Sequence, residues 1–260
     1  MHYKTCKSNN STSAGDNSLR VSNARRRIRQ QLLRMGWVKH ACPYPVNDKV
    51  EKMAEYSSPH VFDSFFWFEN CLKKINPTGE VYFALEMRCS EMWHLTWRCN
   101  LNNPNNHHPL DTLDAFEIVR NYILNGMPWD YGTNKKSDRG IIKIIDWEHP
   151  ENNTFEFVEK WRGALNDGFG WDFILLVNAI PLCGIIIEDT LSAALNMAQY
   201  QLDNDFQFPV YCHSLVLSDG EKMLVGDPWM ELDEFTQINT LKEALLPVDF
   251  LMNRIKTIPE

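Results

Sequence analysis

Two uncharged apolar runs, separated by a short turn segment, constrain this chain more than any other feature. They occupy residues 173–177 and 182–187. Asn178 and Pro181 lie between them; asparagine tolerates positive φ and proline fixes φ, so both favour a reversal. Runs of Ile, Leu and Val without charge are typical of strands that are covered on both faces. The pattern therefore predicts a buried antiparallel β-hairpin that turns within residues 178–181.

An acidic residue flanks each end of the predicted hairpin. Asp172 precedes the first run and Glu188 follows the second. Antiparallel pairing about a turn centred at 179–180 places Asp172 opposite Ile187 or Glu188, so the two carboxylates are predicted to meet at the open end. Paired carboxylates can hold Mg²⁺, and a metal so held can activate water against a phosphodiester. The alternative is that both acids are simply solvated at the end of a strand pair.

Composition excludes several broad classes of protein. The chain has 260 residues, is 44% hydrophobic and carries nine tryptophans, which suffices for a sizeable packed core. Its net charge of −8 is not that of a generally basic nucleic-acid binder, so DNA contact would require a local patch or a metal. No apolar run reaches the roughly 18 residues of a membrane span. The seven cysteines contain no C-x-x-C pair, which favours reduced thiols in the cytoplasm over a disulfide framework or a zinc site.

The concentrated basic segment lies near the start of the chain. Residues 20–35 are predicted to form a helix that ends at a glycine, and they include Arg25, Arg26, Arg27 and Arg29. These four arginines are candidates for contacts with DNA phosphates. The alternative is a solvated helix face that offsets an acidic body.

The remaining segments predict an α/β domain. Apolar residues at helical spacing predict helices at residues 111–125 and 191–202. Strands are predicted at residues 141–145, 154–161, 209–217 and 221–225, and a weaker pattern predicts a helix at 233–246. We expect a disordered tail at 1–18, one domain at 19–245 with its core at about 141–226, and a tail or linker at 246–260.

Several motifs follow one another in a distinctive order in the second half of the chain. They are Asp146-Trp-Glu-His-Pro-Glu-Asn-Asn153, the run from Asp172 through Val-Asn-Ala-Ile-Pro-Leu182, Glu188, the segment from Asn196 to Tyr200, and Leu217-Ser-Asp-Gly220. In this order they resemble the N-terminal nuclease domain of type I restriction enzyme R (motor) subunits. The resemblance extends from Asp146 to Gly226 and is faint upstream.

The resemblance implies a restriction-endonuclease-like PD-(D/E)XK fold, in which helices flank a mixed sheet. It implies that Asp172 and Glu188 are catalytic acids and ligands of Mg²⁺, and that Asn196 and Tyr200 stand for a Gln-x-x-x-Tyr motif. Thr190 takes the place of the catalytic lysine. DNA and the other subunits of a restriction complex are the implied partners.

The threonine is the main departure from the family pattern. No lysine lies between Lys160 and Lys222 to replace the missing one. Removing one such group typically lowers a rate by about 10²–10³-fold. Thr190 can equally cap the helix that follows it. The chain also lacks a G-x-x-x-x-G-K-[ST] phosphate loop, so no ATP site is predicted in it.

Three functions therefore remain open from the sequence. The first is a Mg²⁺-dependent DNA endonuclease, weakened by the loss of the lysine. The second is a catalytically inactive domain retained for DNA binding or for assembly of a restriction or defence complex. The third is a globular interaction protein without a nucleic-acid role.

Overall fold

The computed structural model of the chain describes residues 14–40, 59–77, 112–130, 139–162, 170–204, 214–226 and 231–241. The α-helices in these ranges are α1 (Ala14–Arg34), α2 (Pro59–Ile75), α3 (Thr112–Asn125) and α4 (Leu191–Asn204). The strands are β1 (Val38–Lys39), β2 (Met127–Asp130), β3 (Arg139–Ile142), β4 (Phe155–Arg162), β5 (Gly170–Val177), β6 (Ile180–Ile187), β7 (Ser214–Ser218), β8 (Met223–Gly226) and β9 (Thr236–Ile238). The predicted α/β class is confirmed.

Seven of these strands form one mixed sheet in the order β1-β4-β5-β6-β7-β8-β9. The pairs β1–β4 and β6–β7 are parallel, and the other neighbours are antiparallel. The parallel pair β6–β7 is joined through α4, as a parallel connection requires a crossover. The strands β2 and β3 form a separate antiparallel pair. The sheet is thus mixed in direction, with β5 and β6 near its centre.

Helices cover both faces of the central strands. On one face α1 contributes Ala24, Ile28 and Leu32 to a core cluster that includes side chains of β5, β6, β7 and β8. On the other face α4 contributes Ala194 and Ala198 to a second cluster. Every residue of β6 is buried, which is why its sequence carries no polar alternation. Burial on two faces therefore explains the uncharged runs that dominate the sequence.

The predicted central hairpin is confirmed, with a tighter turn and a different register. Asn178 and Ala179 both have positive φ, 51° and 64°, and they form the whole two-residue turn between β5 and β6. A bulge between Leu175 and Leu176 then shifts the register, so that Phe173 pairs with Ile185. Continued by one residue, this register sets Asp172 opposite residue 186. The predicted partners, residues 187 and 188, were wrong because neither the turn length nor the bulge is visible in the sequence.

The structure differs from the predictions near the first and the last of the described residues. Helix α1 begins at Ala14, so residues 14–18, which the sequence assigned to a disordered tail, are helical. The predicted helix at 233–246 is wrong at its start, where a 3-10 turn (Leu232–Glu234) leads into β9. Pairing with β8 outweighs the weak helical pattern there. Residues 1–13 and 242–260 lie outside the described part of the chain.

Two helix predictions are confirmed at their C-terminal ends. Helix α3 stops at Asn125, and Gly126 follows with φ 78°, the left-handed conformation of a helix C-cap. Helix α1 is followed by Gly36 with φ 87°. Within the described ranges, every helix is too short or too polar to cross a bilayer.

Candidate active site

The open end of the β5–β6 hairpin holds the two predicted acids. Asp172 lies in β5, and its side chain is only 9% exposed. Its Oδ2 accepts a hydrogen bond of 2.7 Å from the backbone N–H of Ile187 on the neighbouring strand. Glu188 directly follows β6 and is partly buried, and its backbone N–H donates to the carbonyl oxygen of Ser218 at 3.0 Å. Main-chain contacts therefore hold the carboxylate of Asp172 and the backbone of Glu188 at the same end of the hairpin.

The charges of the two acids affect each other. Burial raises the pKa of Glu188 above its ordinary value, and the negative charges of Asp172 and Asp189 raise it further, while Arg25 opposes them. A carboxylate influences another in this way only when they share a poorly solvated region. The charge of Asp172 thus contributes, after burial, to the raised pKa of Glu188, although the strand register differs from the one that the sequence predicts.

Arg25 reaches this region from α1. Its Nε donates to Oδ1 of Asp172, which forms an ion pair with a nearly buried carboxylate. The Arg25 side chain itself is 41% exposed. The sequence analysis predicts separate roles for these two residues: Arg25 as a phosphate contact and Asp172 as a metal ligand. No local pattern reveals their contact, because 147 positions separate them.

Two of the other predicted DNA-binding arginines bind the protein itself. Arg27 donates from Nη2 to the carbonyl oxygen of Gly220. Arg29 forms an ion pair with Glu159 on β4. Arg26 is exposed and donates to Oδ1 of Asn23 at 3.3 Å. The contacts of Arg27 and Arg29 dock α1 on the sheet, whereas that of Arg26 lies within the helix. Contact of the four arginines with DNA stays a prediction.

Thr190 acts as the N-cap of α4. Its Oγ1 accepts the backbone N–H of Ala193 at 3.1 Å, and its carbonyl oxygen accepts that of Ala194 at 3.0 Å. The side chain is exposed. Because β6 ends at Ile187, Thr190 lies beyond the strand and does not share a strand face with Glu188. The capping alternative that the sequence offered for Thr190 is present in the structure.

Asn196 and Tyr200 lie on the solvent-facing side of α4. Both are exposed, with Tyr200 at 41%, whereas Ala194 and Ala198 face the sheet. The two residues share a helix face, as their spacing predicted. Their participation in a site stays a prediction.

The Ser-Asp-Gly motif forms the turn on which α1 rests. Gly220 has φ 88°, and a Cβ built there would lie 3.1 Å from Cγ of Arg20 and 3.5 Å from Cβ of Ala24. Ser218 Oγ accepts the Gly220 N–H at 3.1 Å, and Asp219 Oδ1 accepts the Lys222 N–H at 2.8 Å. Arg20 also donates from Nη2 to the carbonyl oxygen of Asp189. The turn therefore sets the distance between α1 and the acid pair.

A second acidic cluster lies in the loop after β3. Ligand atoms of Asp146, Glu148 and His149 lie within 4.8 Å of one another, with Asp146 buried and the other two exposed. Lys143 Nζ contacts Asp146 at 3.2 Å and Glu148 at 3.1 Å, and Asn152 donates to Asp146 at 2.9 Å. Burial acts to raise the pKa of Asp146, but these hydrogen bonds outweigh it and leave the pKa below its ordinary value. A lysine already compensates the charge of this cluster.

The fold and the site define a class of protein: an α/β domain with two acidic residues at one end of the central strands of a mixed sheet. Comparison with known families is more specific: residues 25–229 match the type I restriction enzyme R protein N terminus, and the chain belongs to this family. The match begins at Arg25, so it extends well upstream of the segment in which the sequence motifs carried the resemblance. A separate comparison with curated proteins found no match. Membership of the family makes this a nuclease-like domain of the R-subunit type and suggests a divalent metal.

Proposed function

We propose that this chain is a DNA-acting nuclease domain with a PD-(D/E)XK fold, in which Asp172 and Glu188 serve Mg²⁺-dependent hydrolysis of a phosphodiester. The observation that carries the proposal is the position of these two acids at the open end of the central hairpin. Family membership supports the choice of DNA as the substrate.

The residues at the hairpin end fit a hard divalent cation. Burial and then the negative charge of Asp172 raise the pKa of Glu188, and a bound cation relieves the repulsion between the two carboxylates. Asp172 and Glu188 would hold the metal. Bound Mg²⁺ supplies Lewis-acid stabilisation of the phosphodiester and activates water.

The chain itself contributes orientation and charge. The N–H of Ile187 fixes the Asp172 carboxylate, so this ligand does not have to be ordered when DNA binds. In the reaction, the oxygen of water bonds to phosphorus, the bond from phosphorus to the leaving oxygen breaks, and the proton of water passes through solvent to the leaving oxygen. No oxidant or nucleotide is required for this balance.

Because the chain carries a net charge of −8, binding of DNA in this proposal needs a local group of positive side chains. Arg25 and Arg29 remain 41% and 43% exposed despite their ion pairs. Such partly exposed guanidinium groups can contact phosphate oxygens. We further propose, from family membership, that the domain acts in the cytoplasm with other subunits of a restriction complex.

Nicking of supercoiled plasmid tests the proposal. The full chain is incubated with Mg²⁺ or Mn²⁺, beside Asp172→Asn and Glu148→Gln. We expect metal-dependent nicking that Asp172→Asn abolishes and Glu148→Gln retains, with thermal melts confirming that each variant is folded. If nicking were lost in Glu148→Gln alone, the metal would be assigned to the second acidic cluster instead. Equal nicking by wild type and Asp172→Asn would contradict the proposed site.

The exposed, capping position of Thr190 favours a second candidate function. In this candidate the domain, without a lysine there, is retained for DNA binding or complex assembly and not for cleavage. That candidate predicts salt-dependent DNA binding without nicking in any metal. Nicking that depends on Asp172 would contradict it.

A further inference from the structure

The α1 arginines that reach the sheet differ in what they contact. Arg20 binds the carbonyl oxygen of Asp189 and contacts Glu221, Arg27 binds the Gly220 carbonyl oxygen, and Arg29 binds Glu159. Arg25 instead forms an ion pair with Asp172, one of the two acids proposed to hold metal. Of these four arginines, it is the one whose guanidinium contacts a proposed metal ligand.

The guanidinium of Arg25 lies in a site that lacks the lysine of the family pattern. The proposed reaction develops negative charge on the phosphoryl oxygens, and a positive side chain beside the metal ligands stabilises it. Thr190 supplies no charge and is occupied in capping α4. The described segment 170–204 contains no lysine at all.

We infer that Arg25 is the cationic group of this site and takes over the electrostatic role that Thr190 cannot perform. This inference rests on the proposed function of Asp172 and Glu188. The ion pair through Nε orients the Asp172 carboxylate, and the exposed part of the guanidinium meets a phosphate oxygen of DNA. A guanidinium keeps its proton in proteins, so Arg25 stabilises charge and does not transfer a proton.

The position of α1 makes this role structurally reasonable. Ala24 and Ile28 are 3% exposed and anchor the helix on the sheet on either side of Arg25. Gly220 lies close to Ala24, and this contact sets how near α1 lies to the turn that follows β7. Arg25 therefore lies on a rigid helix and not on a loop. Sites built on helices hold their side chains more precisely than sites on loops.

The first measurement is Mn²⁺ affinity in the absence of DNA, by calorimetry on the full chain. Arg25 competes with the cation for Asp172, so Arg25→Ala and Arg25→Gln should bind Mn²⁺ roughly fivefold more tightly. Arg34→Ala, an exposed arginine on the same helix, should stay within about twofold of wild type. Unchanged or weaker affinity in folded Arg25 variants would overturn the inference, because a purely structural arginine does not compete with metal.

The second measurement is single-turnover nicking at saturating Mn²⁺. Arg25→Ala and Arg25→Gln should lose about 10²–10³-fold in rate, whereas Arg25→Lys should lie between them and wild type. Arg34→Ala should nick as wild type does. Nicking by Arg25→Ala at the wild-type rate would overturn the inference while leaving the proposed function intact. If wild type itself does not nick, the proposed function fails, and the Mn²⁺ affinities still decide whether Arg25 faces the acids.

Discussion

The side chain of Asn178 at the tip of the hairpin donates from Nδ2 to Oδ1 of Asn153 at 2.7 Å. Asn178 also donates to the carbonyl oxygen of Ile144 at 2.9 Å and accepts the N–H of Thr154 at 2.8 Å. Asn153 in turn accepts the N–H of Asp146 at 2.8 Å. Two buried asparagines thus join the turn of the central hairpin to the loop after β3. Their side chains satisfy main-chain groups of Ile144, Thr154 and Asp146.

Asn178→Ala should therefore destabilise the protein strongly. The change leaves several buried polar groups without partners, and each such group costs about 1–3 kcal/mol, so we expect a total loss of about 3–5 kcal/mol. Alanine also tolerates the positive φ of residue 178 less well than asparagine. Urea denaturation measures the free energy of unfolding. Asn125→Ala is the matched control, because Asn125 is exposed and its Nδ2 donates to Oδ1 of Asn121, another exposed side chain, at 2.6 Å.

The ring of Trp171 packs so closely on β6 that it leaves no room for a side chain at Gly184. A Cβ added at residue 184 would lie 2.5 Å from Cζ3 of Trp171, whose side chain is 1% exposed. Gly184→Ala should cost about 1–3 kcal/mol through overpacking. In a Trp171→Phe background the ring is smaller, so the same change should cost less. A double-mutant cycle measures this coupling, and strictly additive costs would show that the ring is not the cause.

Thr190→Ala and Thr190→Asn separate capping from catalysis. Asparagine is a good N-cap and alanine is a poor one, so Thr190→Ala should lose about 1 kcal/mol of stability and Thr190→Asn should lose little. Both variants lack the hydroxyl group. Chemical denaturation and plasmid nicking are measured on the same preparations. If nicking fell equally in both variants while the asparagine variant kept its stability, the hydroxyl group would have a catalytic role.

The elements that sequence predicted well are those specified by local patterns. Uncharged runs around Asn178 define the hairpin, and glycines 36 and 126 mark the helix ends where φ is positive. These signals depend on residues that are close in sequence, and the structure agrees with them.

The features that sequence missed depend on distant pairing. The bulge between Leu175 and Leu176 changes which residues face each other, yet both are ordinary apolar residues. The pattern at 233–246 has no strong strand signal, and only the edge of β8 makes residues 236–238 a strand. The contact between Arg25 and Asp172 joins α1 to β5, so the local sequence around either residue does not predict it.

Glu159 provides a pH-dependent test of how α1 is held on the sheet. It accepts hydrogen bonds from Arg29 of α1 and from Lys39 of β1, the latter at 2.8 Å. Burial acts to raise the pKa of Glu159, but the hydrogen bonds from Lys39 and Arg29 outweigh burial and leave the pKa below its ordinary 4.5. A carboxyl group whose pKa is lower in the folded state stabilises the protein above its unfolded pKa. This stabilisation disappears as the pH falls through the folded value.

Glu159→Gln should therefore destabilise the protein near neutral pH by about 1–2 kcal/mol, since both partners are partly exposed and solvent screens them. The difference from wild type should narrow as the pH falls below 4.5, where the wild-type carboxylate takes up its proton. Urea denaturation across this range gives the free energy of unfolding. Glu221→Gln is the control: its carboxylate is 69% exposed and 3.4 Å from Arg20, so its small effect should vary little with pH. A gap between wild type and Glu159→Gln that stays constant into acid would mean that packing of the side chain, and not its charge, holds α1 in place.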